Sequence, residues 1–151
     1  MEASQSYHLW LKPYGEIMKN NIIEEHQVVF CPFAHNAKDR GNLAFQDYIE
    51  NQDFQGLRDY HQKLDYHYQT STKAIQRYIE YFKSLQAGDI VYIPHRCFSK
   101  DGRTNRGYRV EVISKPFYDS VQNMDSLFCQ VNILNDNAQI TPGIRESMKK
   151  L

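Results

Sequence analysis

Between positions 96 and 115 the chain carries its densest positive charge: Arg96, Lys100, Arg103, Arg106, Arg109 and Lys115, diluted only by Asp101 and Glu111. Cations grouped this closely along a turn and a strand suit contact with the phosphate backbone of a nucleic acid. They suit equally a solvated hairpin whose Lys and Arg side chains keep other strands from pairing with its edge. The second conspicuous set is aromatic. Tyr, Phe and Trp make up 13% of the chain, with eleven Tyr and eight Phe. Such side chains offer a large contact area, and Tyr adds a polar tip, so a surplus serves stacking surfaces as well as cores.

Signatures of catalysis are missing from the sequence. Neither G-x-S-x-G nor H-E-x-x-H occurs, and no Asp/Glu-x-Lys pair stands in a nuclease-like setting. His35 and His95 each follow a strand-like run and a proline, and Cys31 and Cys97 lie near them, but their spacing matches no zinc motif. The three cysteines, Cys31, Cys97 and Cys129, form no C-x-x-C pair. They read as free buried thiols in a reducing compartment. With 18 basic and 18 acidic residues the formal net charge is zero, which argues against gripping nucleic acid by bulk electrostatics and leaves room for a local basic face. The N-terminus lacks a basic-then-apolar leader and no apolar run reaches membrane length, so the chain reads as cytoplasmic with no membrane partner.

The elements that must position these residues follow from periodicity. Strands are expected over Tyr7–Leu11, Gln27–Cys31, Ile90–Ile93, Tyr108–Ile113 and Leu127–Leu134, from their aromatic, β-branched and alternating patterns. Prolines at 13, 32 and 94 stop three of them. A short helix is expected over Glu16–Glu25, a polar loop over Phe33–Asn42, and one or two helices over Leu43–Tyr68, broken near Gly56. Thr70, Ser71 and Thr72 offer N-cap oxygens to a helix over Lys73–Leu85. In it Ile75, Tyr78, Ile79 and Phe82 follow the i, i+3, i+4, i+7 spacing of one buried stripe. Gly88 terminates that helix, Asp101-Gly102 marks a turn, and a terminal helix is expected to start near Pro142. Helices grouped between strands, with no β-α-β alternation or Gly-rich phosphate loop, predict a single α+β domain over 1–151: a twisted barrel or curved sheet with flanking helices.

Three blocks together resemble one superfamily. Tyr7 to Glu16 (YHLWLKPYGE) is similar to the first strand and turn of EVE and YTH domains. Leu85 to His95 (LQAGDIVYIPH) resembles their helix, G-D-x-V turn and strand, and Tyr108 to Asp119 (YRVEVISKPFYD) resembles the strand and loop that follow. These domains share the PUA-like fold, a small twisted β-barrel with peripheral helices. The chain departs from the pattern in a longer interval before Gly88, a longer and more basic hairpin over Phe98–Gly107, and Phe30 where the family has a second-strand Trp. The last change favours base stacking over tight caging of a methylated cation.

The resemblance implies a pocket that holds one flipped, often modified, nucleobase between aromatic walls, with polar atoms at its edge. By position its residues would be Lys12, Tyr14, Phe30, Phe33, Tyr92, His95, Tyr118 and Asp119, with Arg96, Lys100, Arg103, Arg106 and Arg109 on the nucleic-acid backbone. It further implies modified DNA as the favoured partner, with RNA as an alternative, and the specificity module of a modification-dependent restriction system. Catalysis would then belong to a separate nuclease domain or subunit, and the module needs no metal or cofactor. The chain would be an isolated reader or the N-terminal portion of a longer protein. Two other classes stay open: a small-molecule or protein-binding barrel whose aromatics fill its core, and an enzyme using His95 or Cys31.

Overall fold

The computed structural model describes residues 4–10, 23–36, 45–64, 70–97, 105–121, 124–144 and 146–151. Eight strands appear among them: β1 Ser6–Leu9, β2 Val28–Phe30, β3 His35–Asn36, β4 Ile90–Pro94, β5 Arg106–Val112, β6 Phe117–Val121, β7 Met124–Gln139 and β8 Met148–Lys150. Three helices, α1 Phe45–Glu50, α2 Phe54–Leu64 and α3 Thr72–Lys83, fall between β3 and β4. The result is a mixed α+β fold with a strongly curled sheet.

The sixteen-residue β7 is its spine. Phe128 of β7 pairs with Phe30 of β2 on one side and Phe117 of β6 on the other. Further along, β7 pairs with β5, and the sheet continues through β4 and β1 to β8. The β1–β4 pair is parallel and its neighbours are antiparallel. Two register shifts opposite Arg109 each leave one extra residue on β7. Bulges of this kind bend a strand and increase its twist, which accounts for the curl at this point. Gly107 sits at the bend because a Cβ there would collide with the Ile93 carbonyl oxygen and the Ile140 side chain.

The Gly88-Asp89 step ties helix to sheet. Gly88 adopts φ 97°, a conformation that suits glycine. The buried Asp89 carboxylate accepts hydrogen bonds from the backbone N–H of Gln5 through Oδ1 and of Gln86 through Oδ2, both at 2.9 Å. One side chain thus fixes the end of α3, the entry to β4 and the start of β1. Upstream, Ser71 caps α3 by accepting from Ala74 N–H at 3.2 Å. Ile75, Tyr78, Ile79 and Phe82 all face the core, as their spacing predicts.

Several expectations need correction. The break between α1 and α2 lies at Asn51–Asp53, and Gly56 sits in the first turn of α2, its N–H held by Asp53 Oδ1. An aspartate cap overrides the glycine as the local boundary. The terminal segment is a strand, not a helix: the chain turns at Gly143, φ 86°, and β8 pairs with β1, burying Met148. The edge of β1 supplies hydrogen bonds that a helix of so few residues would have to find alone. Tyr118 and Asp119 lie in β6 rather than in a loop, and His35–Asn36 is a short strand inside the expected polar loop. The expected helix over Glu16–Glu25 and the turn at Asp101-Gly102 fall wholly or mostly outside the described residues.

Candidate nucleic-acid interface

The β4–β5 hairpin collects a set of the expected site residues. Register places Tyr92 opposite Arg109 and Pro94 opposite Gly107. Immediately after β4, His95 opens a single helical turn and meets the Tyr108 ring edge-on, with centroids 5.1 Å apart and planes at 72°. Tyr108 is buried and donates a short hydrogen bond to Glu24. Burial and that carboxylate push its phenol far above the usual range, so it remains a neutral wall. Arg109 Nε donates to the Tyr92 hydroxyl at 3.3 Å, and Arg106 Nη1 reaches the Asn137 carbonyl at 3.5 Å. Arg96 is exposed. Tyr92 and Arg109 therefore share one face of the β4–β5 ladder, whereas His95 packs on Tyr108, which projects from the opposite face. Arg96 and Arg106 lie just beyond β4 and at the start of β5.

The other expected pocket residues lie elsewhere along β7. Tyr118 pairs with Leu127, eight positions from Asn135, the partner of Arg109. That is about 26 Å of strand at ~3.3 Å per residue. Phe30 is fully buried beside Phe128, so it serves the core. Phe33, at φ 74°, stacks on Tyr78 at 6.2 Å and 21°, with its carbonyl bonded by His61 Nε2 at 2.9 Å. A bulky residue in that backbone region is strained and is held there by its surroundings. Asp119 is exposed, and its Oδ1 accepts from the N–H of Ser120 at 2.7 Å. Among the described members of the expected pocket, strand register thus sets Tyr118 and Asp119 apart from Tyr92. Lys12, Tyr14, Lys100 and Arg103 lie outside the described residues.

Tyr118 has a structural engagement instead. Its hydroxyl hydrogen-bonds Glu50 at the end of α1, while Asp125 Oδ2 accepts from Phe45 N–H at the start of that helix, at 3.1 Å. The β6–β7 hairpin grips α1 at both ends. Tyr118→Phe should therefore lower stability by about 1 kcal/mol or less, since the pair is partly solvated, and leave oligonucleotide binding unchanged. Urea denaturation beside a binding titration checks both halves of that expectation.

One polar residue near this set is expected from the sequence only as part of the first strand and not as a site residue. His8 pairs with Tyr92 across the parallel β1–β4 ladder and with Lys149 across β1–β8. It is 2% exposed, and among the described residues its Nδ1 has no hydrogen-bond partner. Burial, joined by Lys149 and opposed by Glu146, takes the imidazole down to about 4. The only signal in the sequence is a polar residue set between Tyr7 and Leu9, and alternation alone reads that as an ordinary outward position.

All three cysteines are buried. Burial raises the Cys31 thiol well above its ordinary value and Cys129 to about 12, which makes both poor nucleophiles. Among the described residues no cluster of three His, Cys, Asp or Glu side chains is placed to hold a metal, and no helix is long and apolar enough to cross a membrane. Comparison with known proteins finds no family model, no curated protein and no solved structure that matches this chain.

Proposed function

We propose that this chain is a PUA-like, EVE/YTH-like nucleic-acid-binding module that reads a modified or flipped base, with its contact surface at the β4–β5 end of the sheet. The observation that carries the reading is the Tyr92–Arg109 pair on one face of the β4–β5 ladder, bonded through the Tyr92 hydroxyl, with His95 and the exposed Arg96 directly after β4 and Arg106 at the start of β5. Aromatic rings supply stacking that every base can use, and guanidinium groups supply phosphate contacts. The curled sheet with flanking helices is compatible with the PUA-like fold that the Leu85–His95 and Tyr108–Asp119 blocks resemble. Modified DNA in the cytoplasm is the favoured partner, and a nuclease domain or subunit would supply any cleavage.

Short labelled duplexes, unmodified or modified at cytosine or adenine, should bind with an affinity that falls as salt rises. Arg106→Ala and Arg109→Ala should each weaken binding across the whole panel and flatten the logarithmic salt slope by about 1 for each phosphate no longer neutralised. Absence of binding at low salt would exclude a DNA reader and favour a small-molecule or protein-binding module.

A further inference from the structure

We propose that His8 is a specificity-determining residue of this interface, its imidazole hydrogen-bonding the edge of a nucleobase admitted beside Tyr92; the inference rests on the nucleic-acid reading above. Directly paired residues of neighbouring strands project from the same face of a sheet. The pairings His8–Tyr92 and Tyr92–Arg109 therefore set an imidazole, a phenol and a guanidinium in one row across β1, β4 and β5. Adjacent members of such a row have Cβ atoms about 5 Å apart, close enough for neighbouring side chains to meet one small planar ligand.

His8 is the member of that row whose presence the fold does not explain. Among the described residues, Asp89 and Ser126, the other two in the buried polar or charged set, are both hydrogen-bonded, whereas the fully buried Nδ1 of His8 is unsatisfied. A buried polar atom without a partner costs stability, and an apolar side chain at the same place would remove that cost. A residue kept against such a cost calls for a partner that arrives from outside. The chemistry suits a base. With its pKa at about 4 the imidazole is neutral at pH 7, so it carries one donor and one acceptor nitrogen. Base edges present donors and acceptors side by side, and an imidazolium could offer donors alone. Tyr92 is half-buried and its hydroxyl accepts from Arg109, so the guanidinium orients the aromatic neighbour of His8. Because His8 is only 2% exposed, a base reaches it through a side-chain shift at this end of the row.

The test uses the full chain with ¹⁵N-labelled histidine and a panel of short duplex and single-stranded oligonucleotides, unmodified, methylated or hydroxymethylated at cytosine, or methylated at adenine. The tightest member of the panel should shift the ring-nitrogen signals of His8. His8→Phe should bind that oligonucleotide about tenfold more weakly or worse, while melting at the same or a higher temperature at pH 7. His8→Gln, which keeps a donor and an acceptor, should retain more of the affinity than the Phe variant. If the His8 signals stay in place at saturation, or the Phe variant binds within about twofold of the wild type, the assignment of His8 is overturned and the interface stands. If the wild type binds nothing in the panel at low salt, the nucleic-acid reading fails and takes this inference with it. Should the Phe variant not fold, the ring-nitrogen signals of the wild type decide alone.

Discussion

Asp89→Ala is expected to destabilise the protein by about 3–5 kcal/mol, read as a shift of the urea midpoint at pH 7 with little change in slope. The size of the effect follows from removing two charge-assisted hydrogen bonds together. The carboxylate accepts from the N–H of Gln5 and of Gln86, both at 2.9 Å, and Asp89 is 5% exposed. Each such bond contributes about 1.5–3 kcal/mol, and truncation deprives both partly buried N–H groups of that acceptor. The damage is also topological. Gly88 N–H bonds the Val112 carbonyl and Val112 N–H bonds the Asp89 carbonyl, each at 2.8 Å, so the turn is woven into β5 as well. Asp89→Asn keeps the shape but turns a donor toward one of the two N–H groups, so it should fall between the wild type and the Ala variant. A loss below about 1 kcal/mol for Asp89→Ala would mean that water replaces the carboxylate and that the turn does not depend on it.

Asp89 also shows which parts of this fold can be read in advance. The Gly-Asp step needs a positive φ and a nearby acceptor, both local demands, and the chain displays them as adjacent letters. The α3 stripe is equally local: four apolar residues at helical spacing with Ser71 placed to cap them. β6 is different. Phe117, Tyr118 and Val121 are half-buried and Asp119 and Ser120 exposed, so the segment shows no clean alternation and becomes a strand only because β7 runs beside it. β8 is three residues long and exists because β1 has an edge to fill. The described members of the expected base pocket lie apart for the same reason. Tyr92 and Tyr118 each flank a turn or a proline in the sequence, but their separation depends on the register of a sixteen-residue strand and on its bulges. Residue type identifies aromatics suited to stacking; only long-range pairing decides which of them meet. His8 is the least legible of all, because its character lies in what its neighbours fail to offer.

That character sets the second large effect, the acid sensitivity of the fold. In the unfolded chain His8 titrates near the ordinary imidazole value of about 6.5, and in the folded protein at about 4. Between these values the unfolded state binds the extra proton, so the stability of the folded form rises with pH across this window. The contribution is complete above about pH 6.5, is lost progressively as pH falls, and stops changing below about pH 4. Over the whole window it amounts to on the order of 3 kcal/mol, of which about 2 kcal/mol disappears between pH 7 and pH 5. The groups around the ring support this direction. Burial is the largest cause and Lys149 adds to it, while Glu146 opposes; Tyr92 is the neighbour on β4, with Arg109 beyond it on β5. His61 shifts the same way, held neutral by burial, so the wild type should lose at least as much as His8 alone accounts for. Urea unfolding of the wild type and of His8→Phe at pH 7, 6 and 5 separates the two. The variant should lose about 2 kcal/mol less than the wild type over that range. It should also be the more stable protein at pH 5, because Phe has no proton to exclude. Parallel pH profiles for the two proteins would show that the ring is solvated after all. That result would place His8 among ordinary surface histidines and remove the physical reason for giving it a ligand.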